Sequence, residues 1–151
     1  MLEAGFPEGV FQNLILKRDD VVHIINDPRV QGASVTGSVG AGSAVASEAG
    51  KVIKRTVMEV GGSDAFIVCG DADLPKAVAA GIKGRFSNAG QICLAAKRFI
   101  LVEKIADEFE QLFVEAAKAI RVGDPMDRAA QMGPMARADL RDSLHKQVRP
   151  V

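Results

Sequence analysis

The most constraining stretch of this chain is a strand-like run that passes directly into a glycine-rich turn and then into a helix of small residues. Val30–Val35 reads as the strand, Thr36-Gly37-Ser38-Val39-Gly40-Ala41-Gly42 as the turn, and Ser43–Ala49 as the helix. The same alternation continues. Lys54–Val60 and Ala65–Val68 are strand-like on either side of Gly61-Gly62, and Asp71-Ala72-Asp73 with Pro75 opens a helix that runs to about Arg85. Arg98–Val102 reads as a strand. Ile105–Ile120 is an amphipathic helix with Ile105, Phe109, Leu112, Phe113, Ala116 and Ile120 on one face. Strand and helix in alternation predict an α/β fold with mainly parallel pairing.

The flanking segments follow the same logic. Ala4-Gly5-Phe6-Pro7 looks like the end of a helix whose beginning lies upstream, so an element cut from a longer one is expected there. Val10–Leu16 reads as a strand, and Asp19 as the cap of a short helix to Ile25 closed by Asp27-Pro28. Arg137–Val148 reads as a helix after the loops at Gly123-Asp124-Pro125 and Met132-Gly133-Pro134.

Composition excludes several classes. With 19 basic and 19 acidic residues the net charge is zero, which provides no electrostatic footprint for nucleic acid. No apolar run approaches the roughly 18 residues of a membrane span. No basic segment followed by an apolar stretch marks a secretory leader. Two cysteines give neither a disulfide framework nor a metal site, and reduced thiols fit a cytoplasmic protein.

Three motifs carry chemistry, and each has a plain structural alternative. A strand entering Gly37–Gly42 presents main-chain N–H groups and a helix dipole to a phosphate, with Ser38 as a further donor. The order G-x-x-G-x-G is not the usual dinucleotide fingerprint, and close helix packing explains glycines equally well. Glu59, near the end of the apolar run Val57–Val60, is a general base if partly desolvated, or an outward strand residue if not. Cys93 follows Phe86-Ser87-Asn88-Ala89-Gly90-Gln91-Ile92 and precedes Lys97 and Arg98. A thiol near a cation or a helix N-terminus is a nucleophile, whereas free cysteines more often serve as small core hydrophobes. Cys69, at the end of Phe66-Ile67-Val68, fits the core alternative. His23 and His145 are distant in sequence from Cys93, which weighs against a cysteine hydrolase.

In combination, Val35–Gly42, Met58-Glu59-Val60-Gly61-Gly62 and Phe86–Cys93 with Ala95 and Arg98 resemble the aldehyde dehydrogenase superfamily, in matching order and separation. Gly61-Gly62-Ser63-Asp64 together with Ala95–Arg98 is most similar to its succinate-semialdehyde branch. Val60 and Ser63 depart from the residues usual in the family, and neither is a reacting group.

The resemblance implies the second half of a Rossmann-like NAD(P)-binding domain over residues 1–61, then the first part of an α/β catalytic domain over 62–151, truncated at both ends. It implies Cys93 as nucleophile and Glu59 as the base that clears a thioester. Gly37, Ser38, Val39, Gly40, Ala41 and Gly42 would cradle the diphosphate of NAD or NADP, with Val60 and Gly61 beside the nicotinamide. An aldehyde, succinate semialdehyde in particular, would be the substrate. Lack of the family's oxyanion asparagine and of half its nucleotide site implies impaired activity, and a cut sheet implies marginal stability or self-association unless a partner covers the edge. The competing expectation is a non-catalytic module that pairs with a full-length relative.

Overall fold

A computed structural model describes residues 1–149 of the chain. Two compact units result, Met1–Gly61 and a second beginning at Gly62.

The first unit is built on a parallel strand pair joined by a helix. Strand β1 (Gly32–Gly37) pairs with β2 (Arg55–Val60) in continuous register from Gly32↔Arg55 to Gly37↔Val60. Helix α2 (Val39–Lys51) connects them and packs on both. Along β2 the pleat turns Met58 and Val60 inward and leaves Val57 and Glu59 exposed. Helix α1 (Asp20–Asn26) lies on α2 and buries Ile25. Lys54 ties its end down: its Nζ donates to the carbonyls of Ile25 and Asp27, each at 2.5 Å. This satisfies carbonyls that a helix C-terminus leaves unpaired.

Three expectations change in this unit. The glycine-rich turn shrinks to Gly37-Ser38, because α2 starts at Val39 and takes Gly40 and Gly42 into its first turns. Val10–Leu16 forms no strand. Val10, Phe11, Leu14, Ile15 and Leu16 are all exposed, and no ladder among the described residues includes them. β-branched composition favours a strand only where a partner supplies hydrogen bonds. Asp19 occupies the cap position of α1 without a capping bond. Asp20 instead accepts from the Lys17 N–H at 3.1 Å.

In the second unit β3 (Asp64–Val68) pairs in parallel with β4 (Ala96–Leu101), and α3 (Leu74–Phe86) forms the connection. Asp73 caps α3, accepting from the Lys76 N–H at 3.1 Å, and Pro75 sits in its first turn. Helix α4 (Glu103–Lys118) lays its apolar face on the sheet and α3. Val68, Val78, Ile105 and Phe109 form the buried centre, with Phe66, Phe99, Leu112 and Phe113 packed round it. Phe99 and Phe113 meet edge-on with centroids 4.9 Å apart. Gly81 of α3 makes room for them: a Cβ there would lie 3.1 Å from Phe113 and 3.2 Å from Phe99. Helix α5 (Ala138–Val148) follows, with no buried residue. Cys69, expected in the core, is exposed, because it lies one residue past the end of β3.

Candidate active site

Cys93 stands on an exposed turn between the end of α3 and the start of β4. The chain reaches it through a short 3-10 segment, Ser87–Gly90, in which three successive residues are left-handed: Asn88 (φ 52°), Ala89 (φ 54°) and Gly90 (φ 76°). Glycine adopts this conformation freely and asparagine tolerates it. Alanine pays about 1–2 kcal/mol.

Local hydrogen bonds offset that cost. The Gln91 N–H donates to the Asn88 carbonyl at 3.1 Å, and Gln91 Nε2 donates to the same oxygen at 3.0 Å. Asn88 Nδ2 donates back to the Gln91 carbonyl at 3.3 Å. Gln91 Oε1 accepts the Ala136 N–H at 3.0 Å, which fastens the loop before α5 to the cysteine segment. Beyond Cys93 the chain closes with an Ala95 N–H to Ile92 carbonyl bond of 3.1 Å and then dives into the core, Ala95 and Ala96 being buried.

The positive charge beside Cys93 comes from Lys97. Asp64 faces Ala96 and Ala65 faces Arg98, so Lys97 is the extra residue of a β-bulge. Bulges re-aim side chains. Here Lys97 Nζ turns back to donate to the Cys93 carbonyl at 2.9 Å. Arg98 Nε donates to the Ser63 carbonyl at 2.9 Å. Gly62 lies close by: a Cβ on it would come 3.9 Å from the Cys93 carbonyl oxygen. The Cys93 main-chain N–H has no acceptor among the described residues.

Glu59 is the penultimate residue of β2, opposite Thr36 in the ladder, and its side chain is exposed rather than partly desolvated. Val60 is half-buried and faces α2, and Gly61 is exposed.

The glycine turn divides into two kinds of residue. Ser38 caps α2, its Oγ accepting the Ala41 N–H at 3.2 Å. The Gly42 N–H closes the first helical bond onto the Ser38 carbonyl at 3.0 Å. The amides of Val39 and Gly40 therefore precede the first intrahelical bond, on an exposed helix start with no acidic residue in its first turn. The Ser38 hydroxyl still has its proton to donate. Free amides, a free hydroxyl and a positive dipole end suit a diphosphate. Gly42 is different. It is buried against β2, and a Cβ there would lie 2.7 Å from Val60 Cγ1. Packing accounts for Gly42.

Arg85 escaped the sequence reading. It donates to two main-chain carbonyls around the cysteine turn. The one sequence signal for it, a basic residue in the last turn of a helix, is common to many helices.

The chain belongs to the aldehyde dehydrogenase family, whose model it matches over residues 1–150. It is 52% identical over 146 residues to the succinate semialdehyde dehydrogenase (NAD(P)+) Sad of Escherichia coli (strain K12), covering 97% of this chain and 32% of that protein. It is 51% identical over 145 residues to the succinate-semialdehyde dehydrogenase (NADP(+)) of Mycobacterium avium (strain 104), covering 96% of this chain and 31% of that protein. Among solved structures, the succinic semialdehyde dehydrogenase from Streptococcus pyogenes in complex with NADP+ superposes with a TM-score of 0.92 at 39% identity, covering 97% of this chain and 32% of that one. The chain thus spans about a third of the length of the relatives it matches. Among the described residues no helix is long and apolar enough to cross a membrane, and no cluster of three or more His, Cys, Asp or Glu could hold a metal.

Proposed function

We propose that this chain carries the reacting groups of an NAD(P)-dependent aldehyde oxidation, with succinate semialdehyde as the substrate. The observation that carries the reading is the exposed Cys93 on a turn tied down by hydrogen bonds, with a cation on its carbonyl and its own N–H unspent.

In this reading the Cys93 thiolate adds to the aldehyde carbonyl, forming a C–S bond and a thiohemiacetal oxyanion. The Cys93 N–H donates to that oxyanion, and one such donor is worth on the order of 3 kcal/mol. A dinucleotide held by the Val39 and Gly40 amides and the Ser38 hydroxyl would supply the hydride acceptor, the two-electron oxidant that the adduct needs to reach the thioester. Glu59 then takes a proton from water as its oxygen attacks the thioester carbon. The C–S bond breaks, the carboxylic acid leaves and the thiol is restored.

The likeness of Met58-Glu59-Val60-Gly61-Gly62 and of Phe86–Cys93 to the family's two motifs supports the pairing. For the dinucleotide, the Val39 and Gly40 amides and the Ser38 hydroxyl would hold the diphosphate, with Gly37 and Ala41 shaping the turn. Residues 1–61 would serve as the cofactor-binding part and residues from 62 as the part carrying the nucleophile.

The test is the half-reaction on Cys93. The chain is incubated with succinate semialdehyde and NAD+ or NADP+, quenched in acid and mapped by peptide mass. An acyl adduct on the Cys93 peptide, absent without dinucleotide and absent in Cys93→Ser, is the expected result. Equal acylation of Cys93 and Cys69, or none at either, would refute the proposal.

A further inference from the structure

The turn that displays Cys93 is gripped at both ends by one side chain. Arg85, partly buried in the last turn of α3, donates through Nη2 to the Gly90 carbonyl and through Nη1 to the Ala96 carbonyl, each at 2.9 Å. Those two oxygens bracket residues 91–95, with Cys93 in the middle. The two nitrogens belong to one planar, rigid guanidinium, so the separation of the two carbonyls is fixed by the geometry of the fork. A lysine ammonium, a point donor on a flexible stem, cannot fix it in the same way.

Both sides of the clamp are themselves anchored. Ala96 is buried, and a Cβ on Gly84, the residue before Arg85, would stand 3.7 Å from the Ala96 Cβ. At the other end Gly90 is left-handed at φ 76°, and a Cβ on it would collide with Arg85 Nη2. Glycine adopts this backbone freely, and its missing side chain leaves room for the guanidinium. The neighbouring cations are engaged elsewhere, Lys97 on the Cys93 carbonyl and Arg98 on the Ser63 carbonyl.

We infer that Arg85 is the positioning residue of the cysteine turn. Its hydrogen bonds go to main-chain carbonyls on either side of the thiol and not to the sulfur. By holding the Gly90–Ala96 span it sets where the Cys93 thiol and N–H stand. This inference rests on the reading of Cys93 as the nucleophile.

Alkylation of the full chain tests it. Iodoacetamide rates are measured by peptide mass for Cys93 and for Cys69, an exposed thiol outside the turn that serves as internal reference. In the unsubstituted chain Cys93 reacts faster than Cys69. In Arg85→Gln and Arg85→Lys the ratio falls by about tenfold, the worth of one hydrogen bond to a charged group. In Arg85→Ala, low concentrations of guanidinium ion restore the ratio and methylammonium does not, a rescue that a general loss of stability would not show. A ratio of one in the unsubstituted chain refutes the nucleophile reading itself. A high ratio that Arg85→Gln leaves unchanged refutes the positioning role alone. Should a variant unfold, Cys69 and Cys93 converge in rate; guanidinium then decides the matter, since rates indifferent to it in Arg85→Ala overturn the inference.

Discussion

Gly42→Ala separates the two reasons a glycine can stand in the α2 turn. A Cβ at position 42 would lie 2.7 Å from Val60 Cγ1 and 3.6 Å from Met58 Sδ, where unstrained carbon contacts lie at about 3.5–4.0 Å. Val60 is β-branched and stiff at χ1, so it cannot swing aside without leaving its rotamer. Overpacking of this kind costs about 1–3 kcal/mol. Alanine in a helix interior returns about 1 kcal/mol relative to glycine. The net expectation is a loss of about 0–2 kcal/mol.

The sharper quantity is the coupling with Val60→Ala, which removes the clashing methyl. On that background Gly42→Ala should stabilise, by up to about 1 kcal/mol, so the sign of its effect reverses. Urea unfolding of the whole chain followed by circular dichroism is the assay, the sequence having no Trp or Tyr for fluorescence. If Gly42→Ala has the same effect with and without Val60, the close approach of α2 to β2 is not what requires the glycine.

Other expectations follow from single contacts. Ser38→Ala removes the cap of α2, about 1 kcal/mol of stability by denaturant unfolding, and weakens binding of NAD(P) measured by calorimetry; unchanged affinity would remove Ser38 from the diphosphate site. Phe109→Ala, at the centre of the second unit, should cost about 3–5 kcal/mol, and a loss under 1 kcal/mol would contradict the core described above. The Arg29 guanidinium, followed by the Arg29 main-chain N–H, holds the Asp27 carboxyl well below the usual carboxylate range. A depressed native value favours the folded state above the unfolded-state pKa of about 3.9, and the advantage fades as pH falls toward the native value. Asp27→Asn should therefore be less stable than the parent at pH 7, with the gap in urea midpoint narrowing below about pH 4; a gap that widens in acid would reverse the sign.

What could be read from the residues was what depends on near neighbours. The apolar face of α4 and the Asp73 cap with Pro75 behind it follow from local period and local hydrogen bonding, and the parallel sense of the pairing from the strand–helix–strand order. Contacts across the chain were hidden. Gly42 looks like a loop residue until β2 arrives to pack against α2, and only then is its lack of a side chain useful inside a helix. Val10–Leu16 has the composition of a strand, but pairing is a property of two segments. In the site, Cys93 was marked by its polar and small neighbours. Nothing in an Asn-Ala-Gly triplet announces three left-handed residues, because alanine does not choose that conformation; the bonds of Arg85, Asn88 and Gln91 impose it. Side-chain to main-chain bonds leave no periodic trace, so Arg85 could be found only in three dimensions.

The pairing of Cys93 with Glu59 is tested most directly by the lifetime of the acyl group on Cys93 in Glu59→Gln. After exposure to succinate semialdehyde and NAD(P)+, followed by removal of the aldehyde, peptide mass should show the adduct cleared from the unsubstituted chain and retained at least about a hundredfold longer in the variant, as expected for loss of a general base. Equal lifetimes in the two proteins would mean that Glu59 does not serve Cys93.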